Sequence, residues 1–318
     1  MKLFSKGLVV AAALCVALLV MQGCSSKKQG LVVGFSQIGS ESDWRRAHTK
    51  DVKDEAVKLG IELKFSDAQQ LQENQIKAVK NFIAQGVDAI ILAPIIEDGW
   101  EPVLKEAKAA GIPVILSDRG VSAPEDLYVT RVGPDFVVEG RTAGEWLAKK
   151  LDGKPCNIVE LEGTTGSAPA NDRKKGFDEV VAKHPNMKII KSATGDFKRV
   201  KGQEVMDAFI ASEGKNIQAV FAHNDDMALG ASQSLEAAGM KPGKDVIIVS
   251  VDGVRAALEA IKAGKSNCSV ECNPLLGKAL LEACQKAAKG EKLPKQIATP
   301  EGLFDSTNVV QALPTRKY

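Results

Sequence analysis

The residues of this chain that could do chemistry recur at one kind of place, directly after a short apolar run. The run 31–35 is followed by Ser36-Gln37-Ile38-Gly39-Ser40-Glu41-Ser42-Asp43-Trp44-Arg45, and the run 113–117 by Asp118-Arg119. Asn171-Asp172-Arg173 comes after 156–161, and Gly195-Asp196-Phe197 after 187–193. His223-Asn224-Asp225-Asp226 follows 217–222, Asp252-Gly253 follows 245–251, and Glu271 closes the run that starts at Cys268. The candidate set is therefore Glu41, Trp44, Arg45, Asp118, Arg119, Arg173, Phe197, Asn224, Asp252 and Glu271. Carboxylates and amides accept hydrogen bonds, and Arg donates through a planar fork. Aromatic rings cover apolar C–H faces. This mixture matches a neutral polyol such as a sugar, whose hydroxyls both donate and accept. In a closed site Asp and Arg neighbours also balance one another's charge.

Each residue has a plainer reading. Asn224 or Asp225 could cap a following helix, and Asp252-Gly253 is turn chemistry. Arg45 and Arg46 fit a solvated helix face, and Trp44 and Phe197 fit a core. Asp118-Arg119 after an apolar run has the weakest structural explanation. His48, His184 and His223 lack metal-ligand spacing, and His223 reads as a hydrogen-bonding group at a strand end. There is no G-x-x-x-x-G-K-[ST] and no nucleophile–base pairing. No cofactor is expected.

The elements that must hold these residues alternate. Strand-like runs at 31–35, 61–65, 87–92 and 113–117 interleave with helical patterns at 44–59, 72–85 and before Ala110. The rhythm resumes with strands at 156–161, 187–193, 217–222 and 245–251 and helices at 172–183, 200–211 and through Met227, Ala231 and Leu235. Gly60, Gly86, Gly111 and Gly239 stand where helices end. Alternation of this kind means βαβ units and parallel sheets. Two such series predict an α/β protein of two doubly wound lobes, and no flexible linker separates them. In open α/β sheets ligands sit beyond the carboxyl ends of strands, which is where the candidate residues fall.

The 318 residues are enough for two cores. Lys plus Arg number 42 and Asp plus Glu 40. Without Lys2 and Lys6 the balance is neutral, which gives no electrostatic reason to bind nucleic acid or anionic lipid. Residues 1–23 read as an export signal, with a basic start and an apolar run at 8–21 that is short for a membrane span. Gly23-Cys24 then resembles a lipobox, with Cys24 as the lipidated residue and 24–30 as a tether. Among Cys156, Cys268, Cys272 and Cys284 three pairings are possible, and buried free thiols fit equally well. Cys268 and Cys272 would stand about 13 Å apart on one strand face, too far to bridge.

From Leu31 onward the chain resembles the periplasmic sugar-binding proteins of ribose/galactose type that serve ABC transporters, and most of all their galactofuranose branch. The resemblance rests on V33-GFSQIGSES-42, E73-NQIKAV-79, G99-WEPVLKEA-107, D172-RKKGF-177 and A222-HNDDM-227. It implies a type I periplasmic binding fold with a three-crossing hinge near Val132, Cys272 and Leu303. One lobe would comprise 31–132 plus 273–302, the other 133–272 plus 303–318. It implies that Asp118 and Arg119 bind sugar hydroxyls from the first lobe, that Trp44 stacks on the ring, and that Arg173, Phe197, Asn224 and Asp252 act from the second. Glu41 and Arg45 are then features of the galactofuranose branch. Glu271 lies one residue before the Gln of ribose binders. The branch pairs the cysteine at 156 with one at 218; here Gln218 removes that disulfide. Asp43 stands where the family has a small residue.

The expected function is capture of one monosaccharide, galactofuranose or a related furanose or pentose, and delivery to an ABC permease by a monomer. The protein would be exported and touch the membrane only through its lipid. Ribose or another aldose as ligand, presentation to a chemoreceptor, and an exported glycosidase using Asp118 and Asp252 are the alternatives. Arg partners that keep both carboxylates ionised argue against the last.

Overall fold

A computed structural model describes residues 30–318. The expected signal segment 1–23, Cys24 and nearly all of the expected tether lie outside the described residues. Among the described residues twelve strands form two six-stranded sheets, ordered β11-β5-β4-β3-β1-β2 and β12-β10-β9-β8-β6-β7. The first contains β1 (Val32–Gln37), β2 (Glu62–Asp67), β3 (Ala89–Leu92), β4 (Val114–Ser117), β5 (Thr130–Gly133) and β11 (Gln296–Ala298). The second contains β6 (Cys156–Glu162), β7 (Met187–Thr194), β8 (Ala219–Ala222), β9 (Ile247–Asp252), β10 (Cys268–Glu271) and β12 (Leu303–Asp305). All pairings are parallel except β10 with β12. The two halves therefore repeat one topology, with order 2-1-3-4-5 plus a sixth strand supplied late in the chain.

The central strands are apolar because helices cover both faces. β3 (AIIL) and β8 (AVFA) are buried at every position. Trp100, Leu104 and Leu116 lie in the core of the first lobe, and Phe177 stacks on Phe221 in the second at 4.0 Å between ring centres. Each such side chain contributes about 1.5–3 kcal/mol on burial. Gly60, Gly86, Gly111 and Gly239 all have left-handed φ, and so end their helices.

One boundary differs from the sequence reading in a way that matters. The helix expected from residue 172 begins at Ala168, after Ser167 and with Pro169 in its first turn, a position that suits Pro because its missing N–H has no helical partner. Arg173 therefore projects from the second turn of that helix rather than from its first. The helices Phe136–Leu151, Arg255–Lys262 and Gly277–Ala288 complete the layers.

The chain passes between the sheets at 134–135, 272–276 and 299–302. These segments bring together Glu139, in the first turn of the helix after the first passage, Cys272 in the second and Glu301 in the third. Their thiol and carboxylate atoms all lie within 4.8 Å of one another.

Candidate functional site

A small cavity of about 20 Å³ lies between the lobes at the carboxyl ends of both sheets. From the first lobe it is lined by Glu41, Trp44, Arg45, Asp118 and Arg119, and from the second by Arg173, Phe197, Asn224 and Asp252. Ser42, Phe136, Pro169 and Cys272 complete the lining. Ser42 belongs to the strand-end run after residue 35, whereas Phe136, Pro169 and Cys272 carried no signal of their own in the sequence.

Glu41, Ser42, Trp44 and Arg45 are fixed by one helix start. The Ser42 hydroxyl caps Asp43–Lys58 by accepting the Arg45 N–H. Arg45 is 2% exposed and donates to Glu41 at 3.2 Å and to Asp118 at 3.1 Å. Burial alone would depress this guanidinium, but the charges of Asp118 and Glu41 outweigh that and raise it. Arg119 donates to the Ile95 carbonyl at 3.0 Å and lies 3.8 Å from Asp118. It is held down to about 10 by burial and by the neighbouring Arg45, so it remains a cation at neutral pH.

The Trp44 indole N–H donates to the Cys272 carbonyl at 2.6 Å, and the ring packs within the second lobe's core. His48 stacks behind it, with rings 5.2 Å apart and 15° from parallel. The His48 ring is in turn fixed by Gln37 and Ser117, each at 2.9 Å. Burial and the nearby Arg45 cation lower its pKa to about 3, so the imidazole is neutral and serves as a wedge. Its position one helical turn past Trp44 was the available signal, since residues i and i+4 share a face.

In the second lobe Arg173 donates to Glu139 and to the His223 carbonyl, both at 2.6 Å. Glu139 more than offsets the burial that would depress Arg173, and raises it. The Asn224 side chain accepts from the Met227 N–H and donates to the Phe197 carbonyl, so it caps Asp225–Ala237 while lining the cavity. The helix-cap reading and the lining are both true of it. His223 accepts from the Gly163 N–H and pairs with Glu160. Asp118, Phe197 and Asp252 have φ of 66°, 60° and 126°, conformations that cost about 1–3 kcal/mol each and cluster at functional sites.

Two expectations are corrected. Glu271 does not face the cavity: it accepts from Arg316 at 2.5 Å and from the Tyr318 hydroxyl at 2.9 Å, on the side of the C-terminus. Successive side chains of an extended chain point to opposite faces, so Cys272 turns inward and Glu271 outward. Asp252 is held by its arginine more loosely than expected. Arg173 is 3.7 Å from it and bonded elsewhere, and burial pushes the Asp252 carboxyl well above the usual range. The four cysteines Cys156, Cys268, Cys272 and Cys284 are buried and unpaired.

Glu41 Oε2, Arg45 Nη1 and Arg119 Nε are buried without a protein partner. One acceptor and two donors thus belong to residues lining one small cavity, where an unpaired polar group costs about 1–3 kcal/mol. The Arg119 and Arg173 guanidiniums lie 5.0 and 6.0 Å from the Phe197 ring. The arrangement can hold a small, uncharged, polyhydroxylated ring edge-on by hydrogen bonds and face-on by aromatic contact. The cluster Glu139, Cys272 and Glu301 is the group of metal-ligand type among the described residues. Glu139 is already paired with Arg173, and burial raises both carboxyls and the thiol. Such a set retains a proton more readily than it binds a cation.

Residues 33–292 match the model of the periplasmic binding protein domain family. The chain belongs to that family. This binding protein is 53% identical to the galactofuranose-binding protein YtfQ of Escherichia coli over 270 residues, which are 84% of the chain and 85% of the relative. It is 33% identical to the ribose import binding protein RbsB of Bacillus subtilis, over 87% and 88% of the two chains. Its structure superposes with a TM-score of 0.87 on the periplasmic component of the arabinose ABC transporter of Shewanella sp. ANA-3, solved with α- and β-L-arabinofuranose. The identity there is 50%, over 90% of this chain and 95% of the other. These relatives are sugar-binding transport proteins rather than enzymes.

Proposed function

We propose that this binding protein captures one monosaccharide in its furanose form, galactofuranose or an arabinofuranose-like sugar, between its lobes and delivers it to an ABC importer. The observation that carries this reading is the Glu41–Arg45–Asp118–Arg119 group, with its three unpaired buried atoms opposite the rings of Phe197 and Phe136. A furanose ring with adjacent hydroxyls pairs with such atoms, and desolvation between closing lobes strengthens every one of those bonds. The half-and-half identity to the galactofuranose and arabinofuranose relatives favours this ligand over ribose.

Titration calorimetry of unfolded and refolded protein, stripped of carried-over sugar, tests it with galactose, arabinose, ribose and glucose at ring-form equilibrium. One site per chain for galactose or arabinose is the expected result. Binding of ribose or glucose alone overturns the ligand assignment, and no binding overturns the reading. Cys24 is proposed as a lipid anchor in the same reading, with the rest of the chain a monomer outside the membrane. A Cys24→Ala variant is then expected in the soluble fraction, and continued membrane retention refutes the anchor.

A further inference from the structure

Asp43 begins the helix that carries Trp44 and Arg45, and it also reaches across the cleft. Its carboxylate Oδ2 accepts from Arg199 of the second lobe at 3.0 Å. Its backbone N–H donates to Asp226 of the second lobe at 2.8 Å. Arg199 also donates to Asp226 through Nε at 3.1 Å and Nη2 at 2.9 Å. Arg46, one turn along the same helix, holds the other Asp43 oxygen.

These bonds fall into two kinds. Arg199 and Asp226 stand on Arg199–Glu213 and Asp225–Ala237, two helices packed on each other within one lobe. Their pairing survives any movement of the lobes. The Arg46–Asp43 pair likewise stays within the first lobe. The two bonds to Asp43 from Arg199 and Asp226 join one lobe to the other, so they exist only when the cleft is shut. The Asp226 carboxylate is also aimed at the first N–H groups of the Asp43–Lys58 helix, where its charge meets the positive end of the helix dipole.

We propose that Asp43, clasped by Arg199 and Asp226, is a positioning residue that retains the sugar by holding the closed cleft. The proposal rests on the sugar-binding reading and deepens it. A sugar enters the open form, before the clasp exists, so the clasp acts on release and not on capture. It also fixes the start of the helix bearing Trp44 and Arg45 against the second lobe. Asp43 and Arg199 are about one-third exposed, so that ion pair is screened by salt. The Asp226 bond, to a nearly buried carboxylate, is screened less.

The test is stopped-flow fluorescence on the whole chain with L-arabinose and with galactose. In Asp43→Ser the release rate is expected to rise about two- to fivefold, the range of a partly exposed ion pair. In Asp226→Ala it should rise about tenfold, because the charge-assisted bond to the Asp43 N–H is lost while the Arg199–Asp43 pair remains. Capture rates should stay within twofold in both variants. Raising NaCl should speed release from the wild type and leave Asp43→Ser unchanged, which a merely structural role would not produce. Unchanged release in Asp43→Ser, or a change confined to capture, overturns the clasp while leaving the sugar-binding reading intact. Failure of the wild type to bind either sugar overturns the furanose assignment and with it the retention role.

Discussion

At the scale of single residues, the site is a balance of buried charge. Asp118 is 3% exposed and accepts from Arg45, itself shared with Glu41. Asp118→Asn keeps the shape and tolerates the left-handed backbone, but removes the charge that Arg45 and Arg119 face. Breaking a buried pair costs about 3–5 kcal/mol, so sugar affinity should fall at least 100-fold by calorimetry while far-UV circular dichroism stays native. Which residues were legible in the sequence follows from the same balance. Asp118, Asn224 and Asp252 announce themselves because each ends an apolar run with a group that water or a ligand must satisfy. Glu271 misled because a one-residue difference at a strand end turns a side chain to the opposite face. His48 was read only for metal spacing, and its actual work is to back the Trp44 ring.

At the scale of elements, close approach decides what each strand end can present. Gly163 follows β6, and a Cβ there would lie 1.9 Å from the Phe197 Cζ. The missing side chain is what lets the Phe197 ring lie flat beside the cavity. Gly163→Ala should drive that ring into the space between Arg119 and Arg173 and weaken sugar binding at least tenfold. The folded state should persist, since Phe197 can rotate away at the cost of an off-rotamer side chain of about 1 kcal/mol. A melting curve alongside the titration separates the two effects. The alternation of strands and helices in each half was visible as hydrophobic periodicity. Phe136 and Cys272 were not, because they reach the cavity at the passages between lobes, nor was Pro169 in the first turn of its helix, since periodicity reports only on the element in which a residue sits.

At the scale of the whole molecule, the three passages between lobes meet at Glu139, Cys272 and Glu301. Burial raises both carboxyls, and for Glu301 the neighbouring Glu139 adds to it. A carboxyl whose folded pKa exceeds its unfolded value of about 4.3 contributes stability fully below that value and loses it as pH rises. The wild type should therefore lose at least about 1 kcal/mol of unfolding free energy relative to Glu301→Gln between pH 5 and pH 8. Urea melts of the two proteins at matched pH measure the difference. A wild type that gains on the variant as pH rises would show that Glu301 is ionised in the fold.

Four cysteines stay unpaired and buried in a chain whose relatives work outside the cytoplasm. Folding of the described residues therefore calls on no oxidant and no shuffling of disulfides, and its rate should be indifferent to the redox poise of the compartment it enters. The same burial that removes this dependence makes the native state the thiols' protection, so chemical ageing of the protein would proceed only as fast as it unfolds.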